Sequence, residues 1–175
     1  MEYTFRKATV EDLDGVETIY NHIHDMEEAG VFTTGWERGV YPVRETAEKA
    51  LSRGDLYVCE SDGKILASAI LNNLQDEYYK ECNWLYEAED KDVSVLHTLV
   101  VEPSLGKQNI GTEFVKYWEN LAKEEGYKVL RMDTNVRNKI ARHFYATKGY
   151  REVGTVQTVF NGIPGLELVM MEKKL

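Results

Sequence analysis

The chain has 175 residues, 43% of them hydrophobic and 11% aromatic, with only three prolines. That composition excludes an intrinsically disordered chain and predicts a single globular domain over residues 1–175. No apolar run approaches the ~20 residues that a bilayer requires, residues 1–7 hold no apolar signal segment, and the net charge of −9 is opposite to what a nucleic acid attracts.

Tyr3–Thr9 alternates as a strand does. Thr9, followed by Asp12 three residues on, has the spacing of a capping box. Leu13, Val16, Ile19, Tyr20 and Ile23 then recur at helical spacing up to a stop at Gly30. Val31–Val43, with Gly35, Gly39 and Pro42, is a loop, and Arg44–Arg53 is a second helix stopped by Gly54. Leu56–Glu60 and Lys64–Leu71 are strands joined by Ser61-Asp62-Gly63, a hairpin signal. Residues 72–91 have no clear period and are assigned to a loop. Val93–Val101 is a strand ended by Pro103, and Thr112–Glu125 is a helix ended by Gly126. Lys128–Asp133 is a strand, Asn138–Lys148 a helix, and Arg151–Val159 and Leu166–Glu172 close the chain as strands separated by the loop 161–165. The order predicts an α/β (α+β) fold, a mixed and mostly antiparallel sheet of about seven strands with helices on both faces.

Charge is uneven along the chain. Residues 1–90 carry 8 basic and 20 acidic residues, residues 91–175 carry 13 and 10. An acidic half confers solubility; it also attracts a cationic substrate, leaving the other half to meet an anion. Cys59 and Cys82 are too few and too far apart for a disulfide framework, which favours a cytoplasmic setting. His22 and His24, two apart on a helix, do not share a face, and no third ligand stands at suitable spacing, so no metal is expected.

Two stretches carry chemistry. In Leu96–Phe114 a strand ends at Pro103, a loop with Gly106 and Gly111 follows, and a helix opens. Loop amides and a positive helix end then point the same way, which suits a pyrophosphate, although an ordinary strand-loop-helix connection reads the same. In Met132–Tyr150 a strand passes to a helix holding Tyr145, either a general acid or half-buried packing.

Taken together, these stretches resemble the GCN5-related N-acetyltransferase (GNAT) superfamily across nearly the whole chain. Residues 5–13 look like its opening strand and first helix, residues 55–69 like its second and third strands, and His97–Phe114 like its acetyl-CoA motif. Asn138–Tyr150 is the closest match to its second signature. The pyrophosphate loop departs from the family pattern at two positions, Gly106 in place of Arg or Gln and Asn109 in place of Gly. Asn follows Gly in tolerance of positive φ, so the turn is expected to survive.

The resemblance implies an acyltransferase that moves an acetyl group from acetyl-CoA to a primary amine within a ternary complex, with no metal. It places the pantetheine arm along Leu99, Val100 and Val101, and the pyrophosphate on Gly106, Lys107, Gln108, Asn109, Ile110, Gly111 and Thr112. Asn138 is a further cofactor contact, and Tyr145 is the acid toward the leaving thiolate. His97 alternates with Leu99 and Val101, which predicts one shared strand face. On that face His97 is either the base or a partly buried core histidine. Regions flanking the acceptor in the superfamily hold Trp36, Glu37, Tyr41 and Tyr78, aromatics and a carboxylate able to wall in a cation. The expected partner is a small-molecule or peptide amine, with a cationic one favoured, and neither a nucleic acid nor a membrane. Homodimers are frequent in the superfamily, and the two closing strands would carry the interface. The alternative is a catalytically silent acyl-CoA-binding regulatory module on the same fold.

Overall fold

The computed structural model describes residues 2–175. Seven strands form one sheet: β1 (Thr4–Lys7), β2 (Leu56–Ser61), β3 (Lys64–Asn72), β4 (Val93–Val101), β5 (Val129–Asn135), β6 (Arg151–Phe160) and β7 (Ile163–Lys174). Their order across the sheet is β1-β2-β3-β4-β5-β7-β6, antiparallel throughout except for β4 beside β5. The helices are α1 (Leu13–Glu28), α2 (Arg44–Arg53), α3 (Ile110–Glu124) and α4 (Lys139–Ala146). The mixed sheet with flanking helices is the fold class expected.

Each helix is placed by its apolar stripe. Leu13, Val16, Ile19, Tyr20 and Ile23 of α1 and Ala47 and Ala50 of α2 are buried against Leu56, Val58, Ile70 and Val100 on one face of the sheet. Ile110, Phe114, Val115 and Trp118 of α3, with Tyr145 of α4, pack on the other face against Tyr57, Cys59, Leu96 and Met132. The Trp118 indole stacks on Tyr150 and donates to Ser94 Oγ at 2.9 Å. Arg6 grips Asp12 at 2.6 Å while the Thr9 amide donates to the same carboxylate at 2.7 Å, which sets the entry into α1.

Several boundaries differ from expectation, among them α3, which starts at Ile110 rather than Thr112, and α4, which ends at Ala146 rather than Lys148. Asn161 and Gly162 both have positive φ (47° and 88°), so β6 and β7 are joined by a two-residue turn and β7 starts at Ile163 rather than Leu166. Strand β5 runs two residues beyond Asp133, to Asn135. Residues 72–91 contain single 3-10 turns at Glu77–Glu81 and Asp90–Asp92. A buried ion pair clamps this segment to the sheet. Arg131 reaches Glu172 at 3.4 Å, Gln75 Oε1 at 2.8 Å and the Tyr86 carbonyl at 2.9 Å, with Trp84 over its guanidinium at 4.2 Å. Glu172 in turn accepts the amides of Leu85 and Tyr86.

Candidate active site

The cleft follows from a failure of pairing. β4 and β5 pair only over Val93–Val95 and Val129–Arg131. Beyond Val95 the β4 edge has no neighbour on that side, and a cavity of about 940 Å³ opens between the two strands. It runs from the start of α3 to the loop between α1 and α2. Leu99, Val101, Asn109–Thr112, Asn138, Tyr145, Asp133, His97, Asp76, Trp36 and Tyr41 are all in its wall.

A bulge divides the two halves of this wall. Ile70 faces His97 and Ser68 faces Val100, so β4 holds one residue more than β3 between them. Thr98 takes up the excess at φ 51°, and its hydroxyl meets the Tyr41 hydroxyl. The expected single face therefore splits. Leu99 and Val101 lie against the α3 side. Val100 packs in the α1 core, and His97, opposite Ile70, is on that same side. The alternation that grouped His97 with Leu99 and Val101 is corrected by this extra residue.

At one end, Asn109 stands at φ 59° just before α3, so the loop makes the turn despite lacking glycine there. The amides of Ile110, Gly111 and Thr112 in the first helical turn have no carbonyl partner and carry the positive end of the helix. A Cβ on Gly111 would lie 3.4 Å from Phe144 and 3.6 Å from Val101, so the helix start sits tightly against the strand and α4. Gly106 has an ordinary right-handed φ of −56°. Lys107 and Gln108 stand outside the cleft wall. The Gln108 amide is tied to the Leu105 carbonyl at 3.0 Å, and its side chain accepts from the Tyr3 hydroxyl. Asn138 caps α4 by accepting the Ala141 amide at 3.1 Å.

In the middle, Tyr145 is 8% exposed, with its ring edge-on to Phe144 and Tyr150. Among the described residues its hydroxyl has no hydrogen-bond partner. Burial, with Asp133 nearby, pushes its pKa well above the usual phenol value, so it keeps its proton at neutral pH.

At the other end, His97 Nε2 lies 3.0 Å from Asn72 Oδ1 and 3.1 Å from the Leu74 carbonyl. The orientation of Asn72 is set by its own donation to Asp55 Oδ2 at 2.8 Å. Both partners of Nε2 are thus acceptors, so Nε2 carries the proton and Nδ1 is bare. Burial lowers the pKa of His97, against an opposing pull from Asp76, whose Oδ2 is 3.9 Å from Nδ1. Asp133 Oδ2 accepts from the hydroxyls of Tyr78 at 3.0 Å and Tyr79 at 2.8 Å. Burial raises the Asp133 pKa to about 6.

Two expected acceptor residues do not line the cleft: Glu37 is exposed, and Tyr78 stands behind Asp133. The carboxylates at this end are Asp76 and Asp133 instead. Among the described residues, no group of three His, Cys, Asp or Glu side chains could hold a metal, and no helix is long and apolar enough to cross a membrane.

The family described as acetyltransferase (GNAT) matches residues 17–150. The chain belongs to this family. Among GNAT relatives, an uncharacterized N-acetyltransferase of Methanocaldococcus jannaschii is 26% identical over 161 residues, covering 89% of this chain. The chain spans only 63% of that relative's length. An aminoalkylphosphonate N-acetyltransferase of Salmonella typhimurium is 22% identical over 148 residues, 84% of each chain. The fold is shared with yncA of Salmonella typhimurium, solved with its cofactor acetyl-CoA, at a TM-score of 0.72 and 15% identity over 100% of this chain and 95% of that one.

Within this GNAT cleft, Asp133 and Asn72 were not singled out from sequence, nor was Asp55, which orients Asn72 from outside it. Asp133 ends a predicted strand, Val129-Leu130-Arg131-Met132-Asp133, and a carboxylate at a strand end is the one signal that points to it.

Proposed function

We propose that this chain is an acetyl-CoA-dependent N-acetyltransferase, residues 1–175 acting as one catalytic unit in a cytoplasmic setting. The observation that carries the reading is the single cleft. It joins unpaired amides at the α3 start to a protonated, unpartnered Tyr145 and a bare His97 Nδ1.

The fit to acetyl-CoA rests on those features. Amides of Asn109–Thr112 would hold the pyrophosphate, the open edge of β4 at Leu99–Val101 would pair with the pantetheine arm, and Asn138 would offer its free amide nitrogen. When bound, acetyl-CoA supplies the thioester carbonyl that the amine attacks. The amine must be neutral to attack, and an alkylammonium pKa of about 10.4 calls for a base. His97 Nδ1 takes that proton. The imidazolium formed is met by Asp76 on one side and remains bonded to Asn72 and Leu74 through Nε2. Tyr145 donates its proton to the departing thiolate. Alignment of amine and thioester in one cleft lowers the barrier further. A homodimer would use the outermost strand, β6, which is mostly exposed.

The test is calorimetric titration with acetyl-CoA and coenzyme A, for the parent and Gly111→Glu, followed by an amine panel read by thiol release. A glutamate there sets a carboxylate where the pyrophosphate belongs, and because its Cβ would lie 3.4 Å from Phe144, a thermal melt and circular dichroism of the variant establish that it is folded before its binding is read. Micromolar binding lost in the variant, with acetylated product from the parent, supports the reading. Coenzyme A binding without transfer to any amine favours the regulatory-module alternative, and absence of binding removes both.

A further inference from the structure

The acceptor end of the cleft is unusual in its charge. Its wall holds Asp76 and Asp133, which share the Tyr78 hydroxyl at 3.1 Å and 3.0 Å, while Glu45, also in the lining, is taken up by Lys49. The tyrosines occupy only Oδ2 of Asp133. Its Oδ1 has no partner among the described residues and is not sealed from the cleft. The cationic side chains that line the cavity, Lys49 and Arg53, are both on α2 and already engaged. Lys49 pairs with Glu45 at 2.9 Å, and Arg53 is bidentate on Asp55 at 2.9 Å and 3.2 Å. An incoming carboxylate or phosphonate would find no free cation in this wall and would face two like charges. Tyr145, 8% exposed as a residue, lines the same cavity, and its hydroxyl has no partner among the described residues. The remaining wall is apolar and aromatic: Phe32, Trp36, Tyr41, Phe160, Leu166 and Leu168.

We infer that Asp133, assisted by Asp76, captures the acceptor as its ammonium ion, and that the acceptor is a primary amine bearing no acidic group. This deepens the acetyltransferase reading and rests on it for turnover, though not for binding. The division of labour is specific. At neutral pH nearly all of an alkylamine is protonated, so the abundant species is the cation that Asp133 Oδ1 accepts. Trp36 and Tyr41, packed edge to face at 5.8 Å, line the same cavity and supply aromatic surface to a cation there. His97 Nδ1, beside Asp76, then takes the proton. Asp133 therefore governs binding and selectivity, while His97 governs turnover. The Salmonella relative named for aminoalkylphosphonates marks the class that this chain would reject.

The variant Asp133→Asn tests this with little risk to the fold, because an asparagine oxygen still accepts both tyrosine hydroxyls. The probes are a short alkylamine and the aminoalkylphosphonate of the same chain length. Binding is read by titration calorimetry with coenzyme A present, and turnover by thiol release. The expected results are binding of the alkylamine at least about 100-fold tighter than the phosphonate, and a loss of about 10-fold or more in alkylamine affinity in Asp133→Asn. Selectivity should narrow in the variant, KM rising while kcat changes by less than about 3-fold. Asp76→Asn should give a smaller change in the same direction. Equal binding of the two probes by the parent, or unchanged selectivity in Asp133→Asn, overturns the inference. Selective binding without any turnover would sustain the inference and refute the acetyltransferase reading instead.

Discussion

Replacing Tyr145 by phenylalanine separates catalysis from stability, because the two should move in opposite directions. The Tyr145 ring is buried against Phe144, with ring centroids 5.0 Å apart, and against Tyr150 at 5.9 Å. Phenylalanine keeps both contacts. Among the described residues the hydroxyl has no partner, so its removal strands no donor or acceptor there. A buried hydroxyl without a hydrogen bond costs about 1–3 kcal/mol, and the part of that cost not relieved by water in the cleft is recovered in the variant. Tm should therefore stay level or rise, at about 2–4 °C per kcal/mol for a chain of this size. Loss of a general acid lowers kcat by about 10²–10⁴-fold, equivalent to about 3–5 kcal/mol of barrier. Thiol release at saturating amine gives kcat, and a thermal melt of the free protein gives Tm. A kcat within 3-fold of the parent would refute the role of Tyr145 as acid. A fall in Tm of more than about 5 °C would refute the claim that its hydroxyl is unpartnered.

Two other predictions concern titration. His97 acts as a base only when neutral, and burial lowers its pKa below the ordinary 6.5, so kcat should be flat at neutral pH and fall on the acid side of 6.5. In His97→Ala the plateau should drop by about 10²-fold and the acid limb of kcat should vanish, as read from a pH–rate profile. Asp133 has its pKa raised to about 6 from an ordinary 3.8, so the folded protein keeps this proton over a range where the unfolded chain has lost it. Its stabilising contribution is whole below about 3.8 and is lost as pH rises through about 6. The Tm difference between Asp133→Asn and the parent should accordingly grow in favour of the variant between pH 4 and 7. A difference independent of pH would show that Asp133 titrates normally.

The helices and the order of strands were legible because they depend on local signals. Apolar residues at helical spacing in α1, Gly54 and Gly126 as stops, and Asp62-Gly63 as a hairpin each act within a few residues. Asn161-Gly162 is the same kind of signal, but Pro164 and Gly165 immediately after it suggested a longer loop. Strand β7 tolerates them near its start, where the β6–β7 register shifts. Leu99, Val101 and Asn109–Thr112, named through the family resemblance, line the cleft while Lys107 and Gln108 do not, and Asn109 at positive φ keeps the turn that its substitution put in question. On the opposite side Trp36, Tyr41 and His97 were also named and line the cleft, but its carboxylates were not legible. Asp76 and Asp133 are 57 positions apart in sequence and meet only because the Arg131–Glu172 pair holds the loop 72–91 over β5.

The position of His97 shows why a pattern rule fails at a functional strand. Period-two alternation assumes an unbroken ladder, and nothing in Val93-Ser94-Val95-Leu96-His97-Thr98-Leu99-Val100-Val101 announces a break. Thr98 is β-branched, a residue type that disfavours the left-handed φ of 51° that it adopts. That conformation has to be held by its surroundings, and the Tyr41 hydroxyl on Thr98 is one such restraint. The gain is that one strand serves two compartments. Leu99 and Val101 face the α3 side, where the cofactor is proposed to lie, and His97 faces the α1 side, where the amine is proposed to enter. Without the extra residue, His97 would stand on the cofactor side. The base would then be separated from Asn72 and Asp76, the groups that set its tautomer and meet its charge.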